Sequence, residues 1–411
     1  MDYPRELSMS TRIIRKKIGL FLFSDPYGGG AFQYSQSILH AALALPQNEY
    51  EVVVACAEDA WQCQLPSNSI KVLQLKRLGL LWRLFSGRLW LLSGIPLSLL
   101  RKYSHLLNTA IPKIIKENCA LWIFPSQDTW SYLLPVKSLS TIHDLMHRYE
   151  RRFPEVSSGL NFHKREIHYK NVCRYSQGIL VDSEVGKRQV IDSYNVNEEI
   201  LHVLPYIAPP YVYEKNNVLK NDLEHRLPAK FFFYPAQFWK HKNHEQLVRA
   251  AGYLRNKAPD IKIVFAGSQK NAYNEVSSLV LNSSVTDHVI FLGYIPDQDM
   301  VSIYRRARAL IMPTYFGPTN IPPLEAFALG CPVAISNIYG IPEQVGDAAL
   351  MFDPSNTHEI ADVMYRLWTD DSLCISLSEK GRKRAALWNN VTFQRRFADI
   401  IKLVLKNENH Q

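Results

Sequence analysis

Cysteine is sparse and scattered, with six in 411 residues at Cys56, Cys63, Cys119, Cys173, Cys331 and Cys374. No two show the two-residue spacing of a zinc or redox pair, and a chain this long needs no disulfide staples. A small crosslinked scaffold is excluded, and reduced thiols in a cytoplasmic protein are expected. No uncharged apolar run approaches the roughly 20 residues that span a bilayer. The opening MDYPRELSMSTRIIRKK is polar and charged, and the IGLFLFS after it is too short for the core of a secretory leader, so secretion is not expected. Repeats and low-complexity tracts are absent. No Asp-x-Asp metal motif sits at a strand end.

The chain exceeds what one hydrophobic core usually organises, which predicts two domains. A formal net charge of +9 calls for an anionic partner, and nucleoside diphosphates, an acidic membrane face and nucleic acid all qualify. Residues 75–103 mix leucine and tryptophan with Lys/Arg, and basic residues flank the apolar ones (Lys76, Arg77; Arg101, Lys102). That composition suits either a helix in a membrane interface or one buried between domain faces.

Short apolar runs alternate with helical patterns along the chain. Ile18–Ser24, a glycine loop at Gly28-Gly29-Gly30, a helix from Phe32 and a strand at Glu51–Ala57 form a βαβ opening. Further strands are expected at Leu121–Pro125, Ser140–His143 and Gly178–Asp182. A proline-rich and then polar stretch separates these from a second alternation that begins at Lys230–Pro235. Fully apolar short strands fit parallel sheets covered on both faces. The fold class expected is α/β, with two doubly wound domains. They divide as 1–210, a linker at 211–228, a second domain at 229–388 and a terminal helix at 389–411 that crosses back to the first. In such sheets ligands sit beyond the carboxyl ends of the strands.

The most informative segment lies there, Tyr315-Phe-Gly-Pro-Thr-Asn-Ile-Pro-Pro-Leu-Glu-Ala326 between a strand and a helix. Thr319 or Asn320 is a suitable N-cap, and Pro322 and Pro323 suit a first helical turn. The N–H groups of Asn320, Ile321 and Leu324 are then left for an anion at the positive helix end. Glu325, as a pure acceptor, can take both hydroxyls of a ribose. Alternatively it only complements the helix dipole.

This segment and its continuation, Gly330-Cys-Pro-Val-Ala-Ile-Ser-Asn-Ile-Tyr-Gly-Ile-Pro-Glu-Gln-Val-Gly-Asp-Ala-Ala349, resemble the C-terminal signature of glycosyltransferase family 4. The resemblance implies a retaining enzyme of the GT-B fold, two Rossmann-like domains facing each other across a cleft. The family's signature carries two glutamates. The second matches Glu325, which implies contact with the donor ribose. The first falls at Gly317, so its contact with the transferred sugar is missing, and Thr319 or Asn320 is the candidate substitute. In Tyr234-Pro-Ala-Gln-Phe-Trp-Lys-His-Lys-Asn-His244 the family's pyrophosphate lysine matches Lys242, while its arginine position holds Gln237. Lys240 can add to the field.

The resemblance also directs the base to the loops at Gly267 and Tyr294, and the donor phosphate and acceptor to Gly29 and Gly30. It implies sugar contact by His143, which Asp144 orients unless it caps the next helix, with a supporting role for Ser183-Glu184. It implies a nucleoside-diphosphate sugar donor, a saccharide or lipid-linked acceptor, and no cofactor or metal. The expected pathway is a cell-surface polysaccharide such as O-antigen, capsule or exopolysaccharide, with GDP-mannose favoured over a UDP-sugar. The expected place is the cytoplasm, peripheral at the inner membrane face. Two enzymatic rivals share the architecture, a sugar-nucleotide epimerase and an inverting transferase with His143 as base. A third rival is a basic binding protein, for nucleic acid among other ligands, although the basic residues do not follow a nucleic-acid module.

Overall fold

The computed structural model describes residues 15–25, 28–56, 61, 65, 70–75, 96–107, 110–214 and 221–406. The stretch 76–95, most of the Leu/Trp-rich segment, lies outside the described residues, as does Cys63. Cys119, Cys173, Cys331 and Cys374 are free thiols. Among the described residues no helix is long and apolar enough to cross a membrane.

Seven strands form the first sheet: β1 (Lys16–Leu22), β2 (Tyr50–Cys56), β3 (Lys71–Gln74), β4 (Leu121–Phe124), β5 (Ser138–Thr141), β6 (Gly178–Val181) and β7 (Leu201–Val203). All pairs are parallel, in the order 3-2-1-4-5-6-7. The second sheet holds β8 (Phe232–Pro235), β9 (Ile263–Ala266), β10 (Val289–Gly293), β11 (Ala309–Met312), β12 (Val333–Ser336) and β13 (Ala349–Phe352). It is also parallel, in the order 10-9-8-11-12-13. Most strands are apolar along their length, as suits sheets covered on both faces, although β5 (SLST) is largely polar. β4, β5, β6, β9, β11 and β12 are buried at every position. β3 escapes sequence reading because KVLQ is mostly exposed at the sheet edge and carries no apolar run.

Strand order locates the site. In each sheet the chain winds outward in both directions from one strand, β1 in the first and β8 in the second. The crevices at these switch points lie beyond β1 and β4, and beyond β8 and β11. They receive the glycine loop at Gly28–Gly30, and the Lys242 loop together with the segment before Glu325.

The stretch read as a linker is partly built into the fold. A 3-10 turn at Pro210–Tyr213 buries Tyr211 and Val212, and a helix follows at Asn221–Arg226. Apolar side chains there join the second domain's core. The last helix, Asn390–Lys406, packs against the Gly30–Leu43 helix of the first domain. Phe393, Phe397, Ile400, Ile401, Val404 and Leu405 form its apolar stripe and enter the cluster around Ile18, Leu20 and Leu180. Phe397 is fully buried. Phe397→Ala is expected to lower the unfolding free energy by about 3–5 kcal/mol in denaturant titration, and an unchanged midpoint would show the helix to be unimportant to the first domain.

Candidate active site

The loop after β8 is fixed on several sides. Residues Lys240–Lys242 form a 3-10 turn ended by Asn243, whose φ of 61° places it in the left-handed region. The Asn243 side-chain amide donates to the carbonyls of Pro313 (2.9 Å) and Pro354 (2.8 Å), which ties this loop to the one after β11. Tyr315 N–H donates to the His241 carbonyl at 2.8 Å, and Tyr234 Oη donates to the Lys242 carbonyl at 2.8 Å. Lys242 therefore leaves a rigid base, half-buried, and lines a cavity of about 490 Å³ between the two domains. Burial pushes its ammonium down to about 8, against the pull of Asp144.

The loop after β11 leads into the Pro322–Leu329 helix. Here the structure corrects the expected cap. The N-cap is Ile321, without a side-chain hydrogen bond, because Thr319 and Asn320 are committed elsewhere. Thr319 Oγ1 and N–H both donate to Asp182, the latter at 2.8 Å. Asn320 Nδ2 donates to the Phe316 carbonyl at 3.0 Å, and Gln344 holds the Asn320 backbone through both its amide atoms. With two prolines in the first turn, few donors remain to be capped. The three N–H groups expected to meet an anion reduce to one. Asn320 N–H goes to Gln344 and Leu324 N–H to the Ile321 carbonyl, which leaves Ile321 N–H without an acceptor among the described residues.

Glu325 lines the same cavity at 2% exposure. Tyr211 Oη donates to one carboxylate oxygen at 2.5 Å and Tyr304 Oη to the other at 2.6 Å. Burial raises the carboxyl to about 7, the two hydroxyls hold it down, and nearby Asp297 pushes it up. Each oxygen accepts one phenol and keeps acceptor capacity for a further donor. Neither tyrosine carries a motif, so sequence reading missed both. Tyr211 sits in the supposed linker, and Tyr304 on a helix whose other residues read as ordinary core.

The first domain contributes Gly29, Gly30 and His143 to the cavity. Gly29 is the N-cap of the Gly30–Leu43 helix at φ 64°, a left-handed geometry that suits glycine, and no acidic residue occupies that helix's first turn. The helix N-terminus opens on the cavity, where Gly28 through Ala31 line the wall. His143 is held on both sides. Its Nε2–H donates to the Pro125 carbonyl at 2.9 Å, and its Nδ1 accepts from Tyr206 Oη at 2.8 Å. Burial lowers its pKa. The one lone pair of the neutral ring, on Nδ1, is engaged by Tyr206, which argues against that expected role as a base. Asp144 does not orient it. Asp144 caps the following turn through Met146 N–H at 2.9 Å and pairs with Arg165.

Gln237, Lys242, Thr319, Asn320, Ile321 and Glu325 line the main cavity, whereas Gly267 and Tyr294 line an adjoining one of about 130 Å³. The two share Gly29, Gln33, Pro235, Ala236, Gln237 and Met300. Gly267 has φ 149°, and a Cβ there would fall 2.3 Å from the Ala236 carbonyl oxygen. Lys240 departs from expectation, for its ammonium turns outward to Glu275 at 2.9 Å. Ser183 caps the Glu184–Tyr194 helix, and Glu184 is exposed. At Gly317, where the resemblance lacks its first glutamate, a Cβ would meet the Tyr339 side chain at 3.2 Å.

Residues 216–384 match the family model of the glycosyl transferases group 1. The O-antigen chain mannosyltransferase B of Escherichia coli is 27% identical over 271 residues, covering 61% of this chain and 70% of that one. The serotype-specific mannosyltransferase WbdA of Escherichia coli is 23% identical over 248 residues, 58% of this chain but only 30% of its own length. Among solved structures, Anabaena Alr3699/HepE in complex with UDP and glucose superposes with a TM-score of 0.69 at 14% identity, covering 94% of this chain and all of the other. The fold is GT-B, and the matches place the chain among the glycosyltransferases.

The two shifted groups define a pH window for an anionic ligand with a ribose. Lys242, lowered to about 8, is charged below that value and loses its proton above it. Glu325, raised to about 7, is an ionised acceptor above that value and protonated below it. Nucleoside diphosphate affinity measured calorimetrically should peak between about pH 7 and 8. Lys242→Met should weaken binding about 10–100-fold, the worth of a charge-assisted hydrogen bond, and remove the alkaline fall, whereas Glu325→Gln should flatten the acid side. Unchanged pH profiles in both variants would exclude these residues from the site.

Proposed function

We propose that this chain transfers a hexosyl group, with mannosyl favoured, from a nucleoside-diphosphate sugar to a saccharide or lipid-linked saccharide, with retention of anomeric configuration. The observation that carries the reading is the placement of Lys242 and Glu325 on one interdomain cavity, with a helix N-terminus from each domain on its wall. On this reading Lys242 and Ile321 N–H hold the diphosphate, the Gly30–Leu43 helix faces it, Glu325 accepts the ribose hydroxyls, and the smaller cavity takes the base. Gly267 and Tyr294 then border that base. The names of the two mannosyltransferase relatives support the sugar and the O-antigen type of pathway.

The chemistry is separation of charge. As the glycosidic bond to the diphosphate breaks, the sugar becomes oxocarbenium-like and the leaving oxygens gain charge. Lys242 and the oriented N–H groups are in place before that charge appears, which is the preorganised electrostatic contribution that usually dominates. We take the acceptor hydroxyl to attack from the face that the diphosphate leaves, with a diphosphate oxygen receiving its proton. No metal or cofactor enters this scheme. The engagement of both His143 nitrogens favours it over an inverting route. In a thermal-shift screen, GDP and GDP-mannose should raise the melting temperature more than UDP or UDP-glucose, and the isolated product should keep the donor's anomeric configuration. A response to UDP alone would reassign the base, an inverted product would overturn the mechanism, and silence toward every nucleotide would overturn the function.

We assign the basic excess to this diphosphate and to an acidic membrane face at the cytoplasmic side, with no nucleic acid. On the Leu97–Leu107 helix Leu99, Tyr103 and Leu106 are exposed, and the next helix, Ala110–Lys116, exposes Ile115. Exposed Lys102, Lys113 and Lys116 flank these apolar groups, a mixture suited to an anionic bilayer surface. The protein should float with acidic liposomes at low salt and not with neutral ones. Leu106→Glu together with Lys113→Glu should abolish flotation, and flotation that survives both would refute this contact.

A further inference from the structure

Asp182 directly follows β6 in the first domain, yet its carboxylate serves a loop of the second. Oδ2 accepts Thr319 N–H at 2.8 Å and also the Thr319 hydroxyl, while Ser183 Oγ donates to Oδ1 at 3.1 Å. Asp182 is 3% exposed. A Cβ on Gly186 would come within 2.7 Å of Oδ1, so the carboxylate is seated closely from behind. Thr319 is a wall residue of the main cavity, and the pair also borders a second cavity of about 390 Å³ on its far side. The bond between the domains therefore stands as a partition next to the place where the sugar would lie.

Two more carboxylates of the first domain do the same to neighbouring loops. Glu150 accepts from Tyr339 Oη at 2.8 Å, and Gly340 N–H in turn donates to the Pro318 carbonyl. Glu155 accepts the His241 backbone N–H at 3.4 Å, next to Lys242. Each contact fixes a loop of the donor half only when the acceptor half is docked against it. Of the three, Asp182 grips the loop most directly, with two donors from one residue of the cavity wall.

We propose that Asp182 is a positioning residue for the Gly317–Asn320 loop, coupling the docking of the two domains to the shape of the sugar-facing wall. It touches no reacting atom. The nucleoside diphosphate is held by Lys242 and Glu325 of the second domain, and Asp182 contributes only once the first domain closes on it. This inference rests on the donor reading above, and nucleotide affinity separates the two, because a failure of that reading would appear as loss of binding in the unmodified protein.

The test is a double-mutant cycle on the full chain, with kcat, KM and calorimetric nucleoside diphosphate affinity measured for each variant. Asp182→Ala should lower kcat about tenfold or more, the worth of a charge-assisted hydrogen bond, and leave nucleotide affinity within about twofold. Thr319→Val should lower kcat less, since its N–H remains, and Asp182→Asn, which keeps an acceptor for that N–H, should fall between Asp182→Ala and the unmodified protein. The double variant should be no slower than Asp182→Ala alone. Additive losses, an unchanged kcat in Asp182→Ala, or an affinity loss as large as the rate loss would each overturn the proposal. Should Asp182→Ala fail to fold, Asp182→Asn and Thr319→Val decide, and an unchanged kcat in both would overturn it.

Discussion

A lysine ammonium drawn partly out of water between two domains is the interaction on which the rest of this site depends. Desolvation lowers the pKa of Lys242 to about 8, and only an anion in the adjoining cavity would restore what water has lost. The scaffold keeps the lysine there. Asn243 in a left-handed conformation bridges the carbonyls of Pro313 and Pro354, and Tyr234 fixes the Lys242 carbonyl. These restraints cost side-chain freedom and leave a cation aimed at one place.

The carboxylate opposite shows the complementary problem. Glu325 is buried almost completely, which favours its neutral form, and two phenol hydroxyls counter that tendency. One comes from the segment joining the domains and the other from the helix Asp297–Arg306. A charge that would otherwise be expensive is kept near its titration point by neutral donors, with acceptor capacity to spare. Buried polar groups of this kind are stable only as satisfied networks. The tyrosines therefore matter to the carboxylate as much as the helix that carries it.

Much of this was legible in sequence, for a physical reason. Parallel strands buried on both faces must be apolar, so β1, β4, β6, β8 and β11 announced themselves, and the loops beyond them carried the informative residues. Glu325 was singled out by its place one turn into a helix beyond a strand, and Lys242 through the resemblance of its loop to a family's; both line one cavity. What escaped depends on tertiary partners. Thr319 looks like a cap in one dimension and in three is held by Asp182, 137 positions away. Lys240 looks like a second phosphate ligand, but the 3-10 turn points it at Glu275. His143 lies in the cavity as its position suggested, and Tyr206 occupies the Nδ1 lone pair that a base would use.

On the proposed reading, the second domain holds the donor and the first completes the chamber in which charge separates. The most direct measurement is a crystal structure of the full chain grown with a nucleoside diphosphate. The account predicts the diphosphate within hydrogen-bond distance of Lys242 Nζ, both ribose hydroxyls on the Glu325 carboxylate, and the base beside Gly267 and Tyr294. A nucleotide bound elsewhere, or one in this cavity with its phosphates turned away from Lys242, would contradict it.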